Sequence, residues 1–297
     1  AAKVCLIDDE DLPYLDLENT EIMPWGWNLA LQNRLLERSR GRLSPLLPSQ
    51  TQLEAYRTLC SRGWCATHLL PHLVANLADA VGIAHAFSSD SALFAHLKAT
   101  DNGPFRQYVL KAPWSSSGRG LRYVDMQREG ITPHLQGWVA NVIAKQGYIM
   151  AEPYYNKVFD FGMEFHAHKN GSVDYLGLSV FHTVNGAYAG NLLANEADKQ
   201  ELVSRYVSSS VLKTLCDAVK HFMPAQLQGI YAGPFGIDMM IVGEGKIHPC
   251  VELNLRRTMG HVALSLSAKQ HSRRSMQITY KNGRYSLHIN PLSHQSV

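Results

Sequence analysis

Two of the four Asn-Gly pairs in this chain constrain it more than any other feature. Asn170-Gly171 separates Asp160–His168 from Ser172–His182, and Asn282-Gly283 separates Gln277–Tyr280 from Arg284–Ile289. Asn-Gly suits the two positive-φ positions of a tight hairpin turn, so each pair predicts adjacent antiparallel strands. A third strand pair, Gly236–Val242 and Lys246–Asn254, is joined by Gly243-Glu244-Gly245. Helical segments lie between. Leu29–Glu37 has a helical pattern. Ser49–Gln52 is a capping box opening a helix to about Arg62, with Gly63 as its stop. Leu69–Ala80, Ser89–Lys98 and 197–222 read as helix, and Thr132-Pro133 starts another that Gly147 ends. Hairpins mixed with helices predict an α+β (α/β) architecture built on antiparallel sheets.

The order of elements suggests three stretches. Residues 1–105 are mostly helical, with a short strand candidate at Lys3–Ile7. Residues 106–195 contain the strands Gln107–Lys111, Leu121–Val124 and Tyr148–Ala151 and the first hairpin. Residues 196–297 hold the remaining helix and strands.

The 297 residues carry a net charge of only +3, which gives no reason to expect nucleic acid or an anionic membrane as partner. The run Arg34, Arg38, Arg40, Arg42 reads as a solvated helix end. The five cysteines are odd in number and include no C-x-x-C pair, against a disulfide framework or a zinc site. Reduced thiols point to the cytoplasm. The longest apolar stretch, His68–Phe87, is interrupted by Pro71, Asn76 and Asp79, so no membrane span is expected. The chain begins Ala1-Ala2-Lys3, as expected of a processed protein or one that starts partway through a longer chain.

Two places carry chemistry. The first is the loop from Ala112 to Gly120, directly after the strand ending at Lys111. A lysine offers a compact positive charge to a phosphate, and the small residues Ser115, Ser116, Ser117, Gly118 and Gly120 let backbone N–H groups approach an anion. The Walker A spacing is absent. The second is the strand pair bearing Asp238 and Glu252-Leu-Asn254-Leu-Arg256. Alternation places Glu252, Asn254 and Arg256 on one face. Carboxylate and amide oxygens suit Mg²⁺, and an arginine beside them suits a phosphate or carboxylate. His166, His168 and His182 lie on the hairpin strands and read as ordinary surface or cleft histidines rather than a metal cluster.

Lys111 with its Ser/Gly loop, Glu152, Asp238 and Glu252-x-Asn254-x-Arg256 occur in the order found in ATP-grasp enzymes, and residues 106–265 resemble that superfamily, in its carboxylate–amine ligase form. The resemblance implies an ATP-grasp fold of two α+β subdomains clamping ATP, preceded by a short, mostly helical N-terminal region. Lys111 would meet the α-phosphate, and Ser115, Ser116, Ser117, Gly118 and Gly120 would cover the β- and γ-phosphates. Glu152 through Tyr154 and Tyr155 would hold adenine, and Asp160 the ribose. Asp238, Glu252 and Asn254 would hold Mg²⁺ (or Mn²⁺). Arg57 would stand for a further basic residue. Arg256 would stabilise the transferring phosphoryl group. Arg257 and His261, the latter at a spacing seen in biotin carboxylases, would take an acyl phosphate or substrate carboxylate. Gly186–Asn191 would form a flexible substrate wall. The implied partners are small carboxylate and amine substrates, amino acids or peptides, joined with release of ADP and phosphate. A small-molecule kinase and a catalytically silent nucleotide-binding domain remain as alternatives.

Overall fold

A computed structural model describes residues 8–99, 106–115, 120–184, 187–268 and 272–292. Its strands form two antiparallel sheets. The first has four strands in the order β1-β4-β2-β3, with β1 His85–Phe87, β2 Gln107–Lys111, β3 Leu121–Asp125 and β4 Ile149–Pro153. The second has seven, ordered β11-β10-β7-β6-β5-β8-β9. These are β5 Lys157–Ala167, β6 Val173–Val184, β7 Ala187–Leu193, β8 Gly233–Val242, β9 Lys246–Asn254, β10 Arg274–Lys281 and β11 Arg284–Pro291. The chain therefore passes from one sheet to the other between Pro153 and Lys157, not near 195. Long-range pairing of β5 with β8 takes the first hairpin into the second sheet, and no local pattern in the hairpin announces that partner. The segment 187–191, expected as a flexible wall, is part of strand β7, paired with β6. Gly186 lies outside the described residues, as do Ser116, Ser117, Gly118 and the strand candidate Lys3–Ile7.

Both Asn-Gly turns form as expected. Asn282 and Gly283 have φ of +53° and +77°, the two positive values that this turn chemistry supplies, whereas in the first turn only Gly171 is positive, at +87°. The helices are α1 Leu29–Arg38, α2 Gln50–Leu59, α3 Arg62–Trp64, α4 Leu70–Val74, α5 Asp90–Ala99, α6 Pro133–Gln146, α7 Glu196–Ser204, α8 Ser209–Leu227 and α9 Met259–Ser267. Ser49 and Gln52 form the reciprocal capping box of α2. Thr132 caps α6, Pro133 occupies its first turn, and Gly147 closes it at φ +85°. Gly63 is not a stop. Ser61 recaps the chain by accepting from the Trp64 N–H, and α3 runs through a π-turn at Cys65–Leu69 into α4. The single helix expected over 197–222 is two, α7 and α8, broken at 205–208, where Ser208 precedes the first turn of α8.

Alternation along the strands separates core from cleft. On β2, Tyr108 and Leu110 enter the small core with Leu93 and Leu97 of α5 and Val139 of α6, so Val109 and Lys111 take the opposite face. On β5, Phe161, Met163 and Phe165 enter the main core with Leu215 and Val219 of α8, and Gly162 and Glu164 take the other face. Burying each fully enclosed phenylalanine contributes about 2 kcal/mol. Helices α2 and α4 and the π-turn before α4 also pack into the main core, through Leu53 and Leu59, Leu73, and Leu69 respectively, so the N-terminal region is continuous with the larger sheet's core.

The start of α9 lies on the polar face of this sheet. A Cβ on Gly260 would overlap Glu164 Oε1 and crowd Ser179 Oγ. Gly260→Ala should therefore destabilise the fold by about 3 kcal/mol, read as a lower urea midpoint; an unchanged midpoint would mean that α9 does not sit this closely on Glu164.

Candidate nucleotide and metal site

The register of the larger sheet assembles the acidic site. Asp238 on β8 lies directly opposite Glu252 on β9, and Gly236 opposite Asn254. Gly162 and Glu164 of β5 pair with Asp238 and Gly236 from the other side. Cross-strand partners share a face, so the two carboxylates point to one side of the sheet with Asn254 and Glu164. The Asp238 carboxyl is pushed up to about 8, first by loss of solvent and then by the charges of Glu252 and Glu164; Arg256 and a hydrogen bond from Asn254 oppose that shift. Such a pair is unfavourable by itself and fits a bound divalent cation. Among the described residues no group of three or more His, Cys, Asp or Glu is arranged to hold a metal. The donor set is two carboxylates and an amide, the sparse kind that suits Mg²⁺ when waters and phosphates complete its shell.

Asn254 Nδ2 donates to Asp238 Oδ2 at 3.3 Å, and Arg256 Nη2 donates to Asn254 Oδ1 at 2.7 Å. Arg256 is not on the strand. Strand β9 ends at Asn254, and the Arg256 N–H turns back to the Asn254 carbonyl at 2.9 Å. Its guanidinium reaches the acidic site from this bend rather than by alternation.

The smaller sheet supplies the facing wall. Lys111 and Val109 of β2 pair with Met150 and Glu152 of β4. Lys111 and Glu152 are thus diagonal neighbours on one face, and the Lys111 ammonium forms a buried ion pair with Glu152. Between the sheets lies a cavity of about 720 Å³, lined among others by Lys111, Arg62, Tyr154, Asp160, Asp238 and Glu252. Glu152 stays behind Lys111, while Tyr154 and Tyr155, just past it, line the cavity. Asp160 accepts from Lys157 Nζ at 2.6 Å and Thr183 Oγ1 at 2.9 Å, and both of those residues also line the cavity.

Arg62 is the residue that sequence reasoning misses. Its Nη1 donates to the Ala112 carbonyl and to Ser115 Oγ, each at 2.7 Å, and its Nη2 donates to Glu252 Oε2 at 3.1 Å. One guanidinium thus ties the start of the serine loop to the acidic strand. The one local signal is its place at the first position of a helix, where the positive end of the dipole disfavours a cation. Arg57, the expected basic residue, does not reach the cleft: it is exposed and its guanidinium lies 4.4 Å from the centre of the Trp114 ring. Arg62→Ala should destabilise the protein by about 2 kcal/mol and leave Glu252 without its cation. Thermal unfolding checks this, and an unshifted midpoint would deny the bridge.

Gly120 is buried, and its carbonyl accepts from the Ala112 N–H at 2.9 Å, closing the base of the loop. His261 lies outside the cleft. It is the third residue of the capping box that Thr258 opens for α9, it is buried, and its Nδ1 lies 3.0 Å from Glu164 Oε2. A histidine enclosed in this way cannot meet a substrate, which corrects the expectation drawn from its spacing. Arg257 lines a second cavity, and its N–H donates to the Trp25 carbonyl at 2.8 Å. His166 and His168 sit together there with ring centres 4.9 Å apart, whereas His182 is exposed elsewhere on β6.

No protein-family model matches the sequence, and no curated protein does. Solved structures match by shape. PurK, an N5-carboxyaminoimidazole ribonucleotide synthetase solved as its ADP complex, superposes with TM-score 0.55 at 12% identity, covering 91% of this chain and 68% of its own. Biotin carboxylase from Campylobacter jejuni, in a β,γ-ATP complex, gives TM-score 0.55 at 13% identity over 85% of this chain and 58% of that one. D-cycloserine synthetase DcsG gives TM-score 0.50 at 15% identity over 86% and 84%. The chain thus spans less than two thirds of the biotin carboxylase. With both sheets, the short helical N-terminal region and the cleft between the sheets accounted for, the chain has the ATP-grasp fold.

Proposed function

We propose that this protein binds ATP with Mg²⁺ in the cleft between its sheets and uses it to activate a substrate carboxylate for ligation to an amine. The observation that carries this reading is the Arg62 bridge. Its guanidinium holds Ser115 and Glu252 together, and Arg62, Lys111, Asp238 and Glu252 line one cavity. The solved ATP-grasp structures with ADP or ATP support the nucleotide.

In this reading Tyr154 and Tyr155 flank the base, and Asp160, held by Lys157 and Thr183, accepts from the ribose hydroxyls. Lys111 and the serine loop, with Ser115 already anchored by Arg62, meet the phosphates. Asp238, Glu252 and Asn254 hold the metal, whose chemistry when bound is neutralisation of charge on the phosphoryl oxygens. Arg256 stabilises the transferring group from its bend. A carboxylate oxygen of the substrate attacks the γ-phosphorus, the bond to the β-phosphate oxygen breaks, and ADP leaves. The amine then attacks the acyl carbon, and phosphate departs with a proton released from nitrogen. Amino acids or peptides are the substrate class. The free cysteines among the described residues suit the cytoplasm, and no described helix is long and apolar enough to cross a membrane.

The test is product analysis with MgATP and a panel of acids and amines. ADP, free phosphate and a new amide mass in equal amounts are expected. A stable phosphorylated product would make the protein a kinase, and absence of ADP with every pair would make it a binding domain.

A further inference from the structure

The second cavity, of about 490 Å³, is walled by residues 21–27 on one side and on the other by the ends of β5 and β8, with Tyr231 and Arg257. Nothing in the nucleotide site uses it. It adjoins that site through the bend after β9: Arg257 follows Arg256, the Arg257 N–H is tied to the Trp25 carbonyl, and Gly26 packs against the Arg256 side chain. A Cβ at Gly26 would come within 2.9 Å of Arg256 Cβ, so the segment 24–27 is seated closely on the bend. Along β8, Pro234 in this cavity is four residues from Asp238 in the other, a span of roughly 13 Å.

The lining is selective. Met23 and Trp25 expose 55% and 47% of their surface, large values for apolar side chains bordering a cavity. Tyr231 adds a buried ring whose hydroxyl is already committed to the Pro234 carbonyl at 2.5 Å. Arg257, half-buried, has no carboxylate partner among the described residues, and Glu21 has no cationic one. Lys169 also borders the cavity, so its lining carries two cations and one anion; Arg257 and Glu21, which do not meet each other, complement a molecule that carries both signs. His166 is held below the ordinary histidine range by loss of solvent and by His168 beside it, so at neutral pH it adds polarity but no competing charge.

We infer that this cavity binds an amino-acid or dipeptide substrate with an apolar side chain, its carboxylate on Arg257, its ammonium on Glu21 and its body against Trp25, Met23 and Tyr231. The inference rests on the ligase reading and adds the site and chemical class of one substrate. The segment 21–27 is then a specificity wall, which explains why an otherwise irregular stretch exposes Met23 and Trp25, while Trp27 packs against the main core.

The probes are L-phenylalanine and Phe-Phe, with 3-phenylpropionate lacking the amine and phenethylamine lacking the acid. Binding is read by intrinsic tryptophan fluorescence, and MgADP binding is measured separately in each protein. Wild type should bind a zwitterionic probe at least tenfold more tightly than either half-probe. Arg257→Gln should weaken that probe at least tenfold, and Arg257→Lys should recover part of the loss. Glu21→Gln should weaken the zwitterion about threefold and leave 3-phenylpropionate unchanged. Wild type binding MgADP but none of the four probes at millimolar concentration would overturn the inference and leave the ligase reading standing. So would probe binding indifferent to Arg257→Gln and Trp25→Ala. Failure of MgADP to bind wild type would overturn both.

Discussion

Glu252→Gln is expected to reduce ATP turnover by at least about a hundredfold, the scale on which loss of one group stabilising transition-state charge is felt. Glu252 is half of the carboxylate pair and the acceptor of the Arg62 bridge. The variant should also change the metal-free protein in a way that a merely damaged fold would not. With the wild-type pair, the Asp238 carboxyl sits at about 8 in the folded chain against an ordinary 3.8. The folded state holds that proton more tightly than the unfolded one. Its contribution to stability is therefore fully present below about pH 4 and is lost as pH rises through about 8. Removing the Glu252 charge removes one cause of the shift, so the decline in melting temperature between pH 5 and 9 in EDTA should be shallower in the variant. Parallel profiles would show that Glu252 does not act on Asp238.

Lys111→Met should lower the melting temperature by about 10 °C. Breaking a buried ion pair by removing one partner costs about 3–5 kcal/mol, because the other charge stays buried alone, and each kcal/mol moves a chain of this size by about 2–4 °C. Both members of the pair are buried on the cleft face of the smaller sheet. The double variant Lys111→Met, Glu152→Gln should regain most of the lost stability, since neither charge remains. It should not regain nucleotide affinity if, as proposed, the ammonium also meets a phosphate. Differential scanning fluorimetry with and without MgADP separates the two effects. A double variant that recovered binding along with stability would confine Lys111 to a structural role.

The acidic site was legible because a strand's two-residue period is strict: once Glu252 and Asn254 share a strand, they share a face. The tight turns were legible for a similar reason, since Asn-Gly selects a backbone geometry within two residues. Arg256 shows the limit of the same rule. The sequence pattern continues the alternation past Asn254, but the backbone bends there, and the guanidinium arrives by another route. Arg62 was missed, and His261 was expected in the cleft, because their roles depend on contacts distant in sequence. Arg62 meets Glu252 across 190 positions, and His261 approaches Phe165 across 96. The sheet boundary was hidden for the same reason, because hairpin β5–β6 is compatible with either sheet until β8 claims its edge. What could be read locally was the chemistry of the acidic strand pair; what could not was which cation completes it.

The most direct test of that pair is the pH dependence of MgADP binding. If Asp238 and Glu252 hold the metal, binding must displace the proton that Asp238 carries below about pH 8. Calorimetry from pH 6 to 9 should then show affinity rising with pH by up to about tenfold per unit below that point. The dependence should be smaller in Asp238→Asn, and magnesium-free ADP should show no such difference between the two proteins. Equal affinities and equal pH profiles for MgADP in wild type and Asp238→Asn would contradict the account.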